Sequence, residues 1–150
     1  MIASSVSVSQ KRKKSQPVLT EPVGRVGRLQ LEYAKRDGRT IIAESHCTTP
    51  WHLLPPIYLD DTGAAYTLLV NPSGGLVGGD RLSIDMRVED GAHVLISAPS
   101  ANRVYRSEGE VSVQDIELTV GAGAILEWLP EQTIPFAGSR FKQTIHATLE

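Results

Sequence analysis

Between Arg81 and Glu89 the chain alternates without a break. Leu82, Ile84, Met86 and Val88 are apolar, and Arg81, Ser83, Asp85, Arg87 and Glu89 between them are polar. Successive side chains of an extended chain point to opposite sides, so this pattern builds a strand with one buried and one wet face. A helix would instead bring its apolar residues back every three to four positions. Burying these side chains contributes about 1.5–3 kcal/mol each before conformational entropy is set against it. Leu29, Leu31 and Tyr33 alternate in the same way, as do Ala92, Val94, Ile96 and Ala98, then Ile116, Leu118 and Val120. Phe141, Gln143, Ile145, Ala147 and Leu149 follow. The parity slips by one residue between Val113 and Ile116, which predicts a bulge at Gln114 or Asp115. The 13 Gly and 9 Pro favour many short elements over a few long helices, and no segment of helical length carries a helical period.

The strands also repeat. Ile84-x-Met86-x-Val88-x-x-Gly91-Ala92-x-Val94 matches Ile116-x-Leu118-x-Val120-x-x-Gly123-Ala124-x-Leu126 at an offset of 32. A weaker echo lies upstream, where Gly63-Ala64-x-Tyr66-x-Leu68 parallels Gly91-Ala92-x-Val94-x-Ile96. Downstream, Gln143-x-Ile145-x-Ala147-x-Leu149 parallels Gln114-x-Ile116-x-Leu118-x-Val120 at an offset of 29. Each unit reads as strand, Gly-Ala turn, strand. The expected fold is mostly β with little helix, its strand repeats stacked in a β-solenoid-like or layered β architecture. Chance similarity among ordinary hairpins is the competing explanation.

With 150 residues there is room for one domain with a real core. The net charge of −2 is unevenly spread: the first 20 residues hold Lys11, Arg12, Lys13 and Lys14 and no acid, whereas the remaining 130 hold 11 basic and 17 acidic side chains. Residues 1–26 therefore read as a disordered, basic and Ser-rich tail, and 27–150 as the β-domain. The Lys-Arg-Lys-Lys cluster would also suit a nuclear or transit address. An acidic body offers no basic stripe to a nucleic acid. No apolar run is long enough for a signal peptide or a membrane helix, and a lone Cys47 fits a reducing, cytoplasmic setting.

Asn71-Pro72-Ser73-Gly74-Gly75-Leu76-Val77-Gly78-Gly79-Asp80 is the most unusual segment. It ends in Gly-Gly-Asp-Arg, without the Gly-Lys-Ser/Thr of a phosphate loop. Gly74, Gly75, Gly78 and Gly79 read instead as close-packed structural turns, with Asp80 bonding to loop amides; a partner surface is the other possibility. His46, Cys47 and His52 match no zinc spacing, and neighbours on a strand face opposite ways. His93 and His146 read as isolated and solvated. No serine sits in a nucleophile elbow, and Glu127 and Glu131 are only a weak acid/base pair. Arg103 and Arg106 flank Tyr105, and Arg and Tyr dominate protein interfaces, so these three are interaction candidates; a salt-bridged surface strand is the plainer reading.

Three blocks taken together, 71–82, Arg-Val-Tyr-Arg-Ser at 103–107 and Leu-Glu-Trp-Leu-Pro-Glu-Gln-Thr-Ile-Pro-Phe at 126–136, resemble the urease accessory protein UreD (UreH) family. The Gly-Ala turns at 91–92 and 123–124 fall where that family has them, and the resemblance runs from about Gly27 to Glu150. Two positions depart from its pattern: Arg103 stands in place of Lys, and Glu131-Gln132 inverts Gln-Glu. Family members continue well past this length, so the resemblance implies an amino-terminal portion. It implies a non-enzymatic maturation factor that joins UreF and the GTPase UreG on apo-urease and assists nickel insertion. It also implies no permanently bound cofactor, with nickel as transient cargo. Asp80, Glu127 and Glu131 are then the transit candidates, because passage needs exchangeable oxygen contacts. Two other classes compete: a stand-alone β-domain binding a small metal or anionic ligand, and a hydrolase using Glu127 and Glu131. The last alternating segment has no return strand, which predicts an uncovered apolar row at Phe141, Ile145 and Leu149, with poor solubility or order only to about Phe136.

Overall fold

The computed structural model describes residues 24–150. The basic cluster and the rest of the expected tail, up to residue 23, lie outside the described residues. Arg25 and Val26, assigned to the tail by the sequence, belong to the fold: β1 starts at Val26, and Arg25 pairs with a buried carboxylate.

The chain is mostly β, with no helix among the described residues. Its strands are β1 (Val26–Arg36), β2 (Arg39–Cys47), β3 (His52–Leu53), β4 (Ala65–Val70), β5 (Arg81–Val88), β6 (His93–Ser97), β7 (Asn102–Val104), β8 (Ser112–Val120), β9 (Ile125–Leu129), β10 (Thr133–Pro135) and β11 (Phe141–Leu149). They form a five-stranded sheet in the order β11-β8-β5-β1-β2, a four-stranded sheet in the order β3-β4-β6-β9, and a β10-β7 pair. Both larger sheets are mixed. β2 and β3 are antiparallel edge strands, and the other neighbours run parallel.

Parallel neighbours need a long crossover, usually a helix. Here β6 and β7 make the crossover from β5 to β8, and β9 and β10 that from β8 to β11. The strong sequence repeat becomes the pairing register: Arg81 lies beside Val113 and His93 beside Ile125, both at an offset of 32. The downstream echo also holds, with Gln143 beside Gln114 and Ile145 beside Ile116. The upstream echo is out by one residue. Ala65, not Ala64, lies in the row with the buried Ala65, Thr67 and Leu69, and pairs with Val94. A one-residue slip exchanges the two faces of a strand, so Tyr66 and Leu68 turn outward.

The predicted bulge at Gln114 or Asp115 is absent. β8 pairs with β5 without interruption, and its inward row is Ser112, Gln114, Ile116, Leu118 and Val120. The parity seemed to break because two inward residues are polar. Both are hydrogen-bonded inside: Ser112 Oγ donates to the Val77 carbonyl at 2.8 Å, and Gln114 Oε1 accepts from Gln143 Nε2 at 3.1 Å. The register shift lies instead between β1 and β2, where Ala43 of β2 is the extra residue opposite Glu32 and Tyr33.

The core fills the space between the two larger sheets. Leu29, Leu31, Tyr33, Leu82, Ile84, Met86, Val88, Ile116 and Leu118 face Ala65, Leu69, Val94 and Ile96. Tyr33 Oη donates to Thr67 Oγ1 at 2.9 Å, and burial pushes its phenol up to about 12, partly opposed by that bond. The unfolded chain releases the same proton near 10. Stability from this group is therefore intact below about pH 10 and is lost as pH rises toward 12. Urea unfolding should show this decline, and Tyr33→Phe should flatten it.

β11 is paired with β8 from Phe141 to Leu149, so order does not stop at Phe136. Of the apolar row expected to be uncovered, Ile145 (49%) and Leu149 (76%) are exposed, whereas Phe141 is half-buried and packs against the core. The Arg140 carbonyl and the Glu150 amide both bond to β8 residues, so even-numbered backbone groups face β8 and odd-numbered ones face the free edge. Hydrogen exchange should therefore alternate. Amides of Lys142, Thr144, His146 and Thr148 should be protected, and those of Gln143, Ile145, Ala147 and Leu149 fast. Uniform protection would mean that something covers the edge.

Candidate functional site

The glycine-rich loop after β4 is built around Asp80, which is fully buried. Its carboxylate accepts from the Val77 amide at 3.0 Å, the Arg25 amide at 2.8 Å and Arg25 Nη2 at 2.9 Å. A buried carboxylate needs such partners, because desolvation without them is prohibitive. The loop thereby ties the start of β1 to the start of β5. Gly74, Gly75 and Gly79 have positive φ, at 79°, 147° and 87°, while Gly78 does not. A Cβ on Gly78 would collide with Ser107 Oγ, and one on Gly75 would lie 2.5 Å from the Arg103 carbonyl. Leu76 in turn donates its amide to that carbonyl at 2.7 Å.

Arg103 lies in β7 with its side chain exposed, next to the buried Val104. Tyr105 stands edge-on to Phe136, the ring centroids 5.3 Å apart, and its hydroxyl donates to the Gly74 carbonyl at 3.1 Å. Arg106 is exposed and reaches Glu108 at 3.8 Å. The other two sequence blocks thus meet the loop: Tyr105 and the exposed Phe136 form an aromatic pair beside Gly74 and Gly75, and Arg103 and Arg106 are exposed next to it.

Asp80, Glu127 and Glu131 are not brought together. Asp80 is held by Arg25. Glu127, on the outer side of β9, is 2.8 Å from His93 Nε2, and Glu131 follows the end of β9 at the mouth of a cavity. Among the described residues no group of three or more His, Cys, Asp or Glu is placed to hold a metal. Cys47 Sγ donates to the Trp51 carbonyl at 3.1 Å, and partial burial pushes its thiol up. His146 Nδ1 lies 2.9 Å from Glu117. Neither His93 nor His146 is isolated, because each sits beside a glutamate about one unit away in sequence. The carboxylates that do meet are Glu32 and Glu89, and the hydrogen bond that protonated Glu32 donates to the Glu89 carboxylate holds Glu32 above the usual range.

A cavity that sequence reasoning missed lies beside the loop. It runs between the sheets at the polar end of the core, has a volume of about 150 Å³, and is lined by Trp51, Asn71, Gln114 and Trp128 among others. The available signal was the inward parity of Gln114 and Trp128, masked by reading Gln114 as a bulge.

Gly75→Ala should be the more damaging of two loop substitutions, since it combines positive φ with a backbone collision. Gly74→Ala meets only the positive φ, with open space around its Cβ, and should cost about 1 kcal/mol; Gly75→Ala should exceed about 2 kcal/mol. Chemical denaturation of both variants measures the difference.

The model of the family described as UreD urease accessory protein matches residues 25–150. A protein named urease accessory protein UreD from Deinococcus radiodurans is 42% identical over 126 residues, covering 83% of this chain and 45% of its own length. Its namesake from Cupriavidus necator is 39% identical over 122 residues, covering 81% of this chain and 42% of its own length. The one from a Nostoc species is 37% identical over 123 residues, covering 82% and 44%. The chain spans less than half the length of these curated relatives. With the match running from Arg25, the partner of Asp80, through β11, the chain belongs to the UreD urease accessory protein family.

Proposed function

We propose that this chain serves urease maturation as a non-enzymatic scaffold, acting with UreF and the GTPase UreG on apo-urease in the cytoplasm while nickel is inserted. The observation that carries this reading is the family match over residues 25–150, which takes in all three sequence blocks. Nickel is cargo in this scheme. Of the three transit candidates, Asp80 is engaged by Arg25 and Glu127 by His93, which leaves Glu131, at the cavity mouth, with its carboxylate available. The Arg103–Tyr105–Arg106 rim is the proposed contact with UreF or urease, since two cations on an acidic body suit an acidic partner surface. A short solenoid is the proposed architecture behind it, supported by the equal offsets of the β5–β8 and β6–β9 pairings.

Co-expression with UreF, UreG and the urease subunits tests the reading. The chain should co-purify with them, and changing both Arg103 and Arg106 to Glu should reduce the yield at least about fivefold, a loss of about 1 kcal/mol. Its thermal midpoint should move little, because both side chains are exposed. Unchanged yields would remove the rim from the proposal. Tight stoichiometric nickel binding by the chain alone, without co-purification, would favour a stand-alone metal-binding domain.

A further inference from the structure

We propose that β11 is the contact between two copies of this chain, which pair edge to edge and antiparallel about a two-fold axis at Ile145. β11 stands at the end of the five-stranded sheet, and among the described residues no strand pairs with its far side. The backbone groups of Phe141, Gln143, Ile145, Ala147 and Leu149 point there. Nine residues make a long edge, and its open row of donors and acceptors is a template for another strand.

The other edges of the two larger sheets are blunted, and this one is not. β2 carries the extra residue Ala43, and a bulge twists an edge away from a second strand. β9 has Glu127 at its centre, so two β9 strands pairing antiparallel would set one carboxylate against the other. β3 has only two residues. β11 runs beside β8 without a bulge and holds no proline and no carboxylate from Phe141 to Leu149. Its exposed apolar residues are Ile145 and Leu149.

The sequence of β11 is complementary to itself. With the open groups at odd positions, only odd residues can form the hydrogen-bonded pairs of an antiparallel ladder. Centring that ladder on Ile145 is the one such register in which all nine residues find a partner. Ile145 then faces its own copy, Phe141 faces Leu149, and Gln143 faces Ala147, all on the side of the apolar row. On the outer side Arg140 comes opposite Glu150. Both are exposed, and both are fixed to β8: the Arg140 carbonyl accepts from the Ser112 amide, and the Glu150 amide donates to the Val120 carbonyl. Lys142 lies diagonal to the same carboxylate, within reach of a long side chain. Two-fold symmetry makes each of these contacts twice. A cation at one end of the strand, an anion at the other and apolar residues between them identify a second copy as the occupant. The contact uses up both β11 edges, so it closes at two chains. It stands independently of the urease-maturation reading.

Sedimentation equilibrium of the full chain over a concentration series, with hydrogen exchange measured at both ends of the series, tests the pairing. The mass should rise from one chain to two and stop there. Protection along β11 should alternate in the single chain, and Gln143, Ile145, Ala147 and Leu149 should gain protection in the dimer. Glu150→Arg sets like charges opposite each other twice and should weaken the dimer at least about fivefold, as should Arg140→Glu. Combining the two substitutions brings opposite signs together again and should restore it. Ala147→Pro removes a donor from the open edge and none from the β8 ladder, so the chain should stay folded and remain single. A wild-type chain that never pairs would overturn the proposal. So would protection of the odd-numbered amides in a single chain, which would mean that the chain covers its own edge. Assembly beyond two chains, a combined charge variant no stronger than either single one, or a dimer that persists in folded Ala147→Pro would overturn it as well.

Discussion

Everything in this fold hangs on a register. The amides of β5 and β6 are satisfied by strands that arrive 32 residues later, so the length of the intervening chain fixes which side chains face inward. One inserted residue between β6 and β8 would turn the row Ile116, Leu118 and Val120 out to solvent unless a bulge absorbed it. The bulge opposite Glu32 and Tyr33 does absorb such a mismatch, at the antiparallel β2 edge, where no further strand has to stay in step. The parallel strands β1, β5, β8 and β11 have no bulge and no such freedom.

The interior has a gradient along the strands. At one end Met86, Val88 and Tyr33 are fully buried among apolar neighbours. At the other, Ser112, Gln114 and Asp80 are buried instead: Ser112 and Asp80 are hydrogen-bonded to the glycine-rich loop, and Gln114 to Gln143 of β11. The glycine-rich loop explains the difference. It runs close beside β7, where Leu76 exchanges backbone hydrogen bonds with Arg103 and Tyr105, and the backbone polar groups of loop and strand satisfy one another there. Arg25 completes the arrangement from the first residues of the domain. Without it, Asp80 would keep only backbone donors for a buried charge.

The alternation and the repeat were legible because each strand has one wet face and one dry one, and because units of similar length stack in register. Glycine placement in the 74–79 loop was legible for the same local reason, that a Cβ is excluded. What escaped depends on partners remote in sequence. Ser112 and Gln114 look like a slip in parity until Val77 and Gln143 are brought beside them. His93 and His146 look solitary until β9 and β8 supply Glu127 and Glu117. Arg25 looked like tail because its partner is 55 residues away. The upstream echo misled by one residue because Gly63-Ala64 copies the Gly91-Ala92 turn without copying its register.

The cavity between the sheets also bears on how a cation could be handled by this domain. Oxygen ligands that exchange readily are what a divalent cation in transit needs. The side-chain oxygens of Asn71 and Gln114 are already committed to donors within the protein. Asn102 and Gln143, on the same wall, spend a side-chain nitrogen on Gln114, so their amide oxygens are the ones not engaged there. Glu131 is the only carboxylate among the lining residues. A cation moving past this wall would therefore meet neutral amide oxygens and one charged ligand, a set that binds weakly enough to release it.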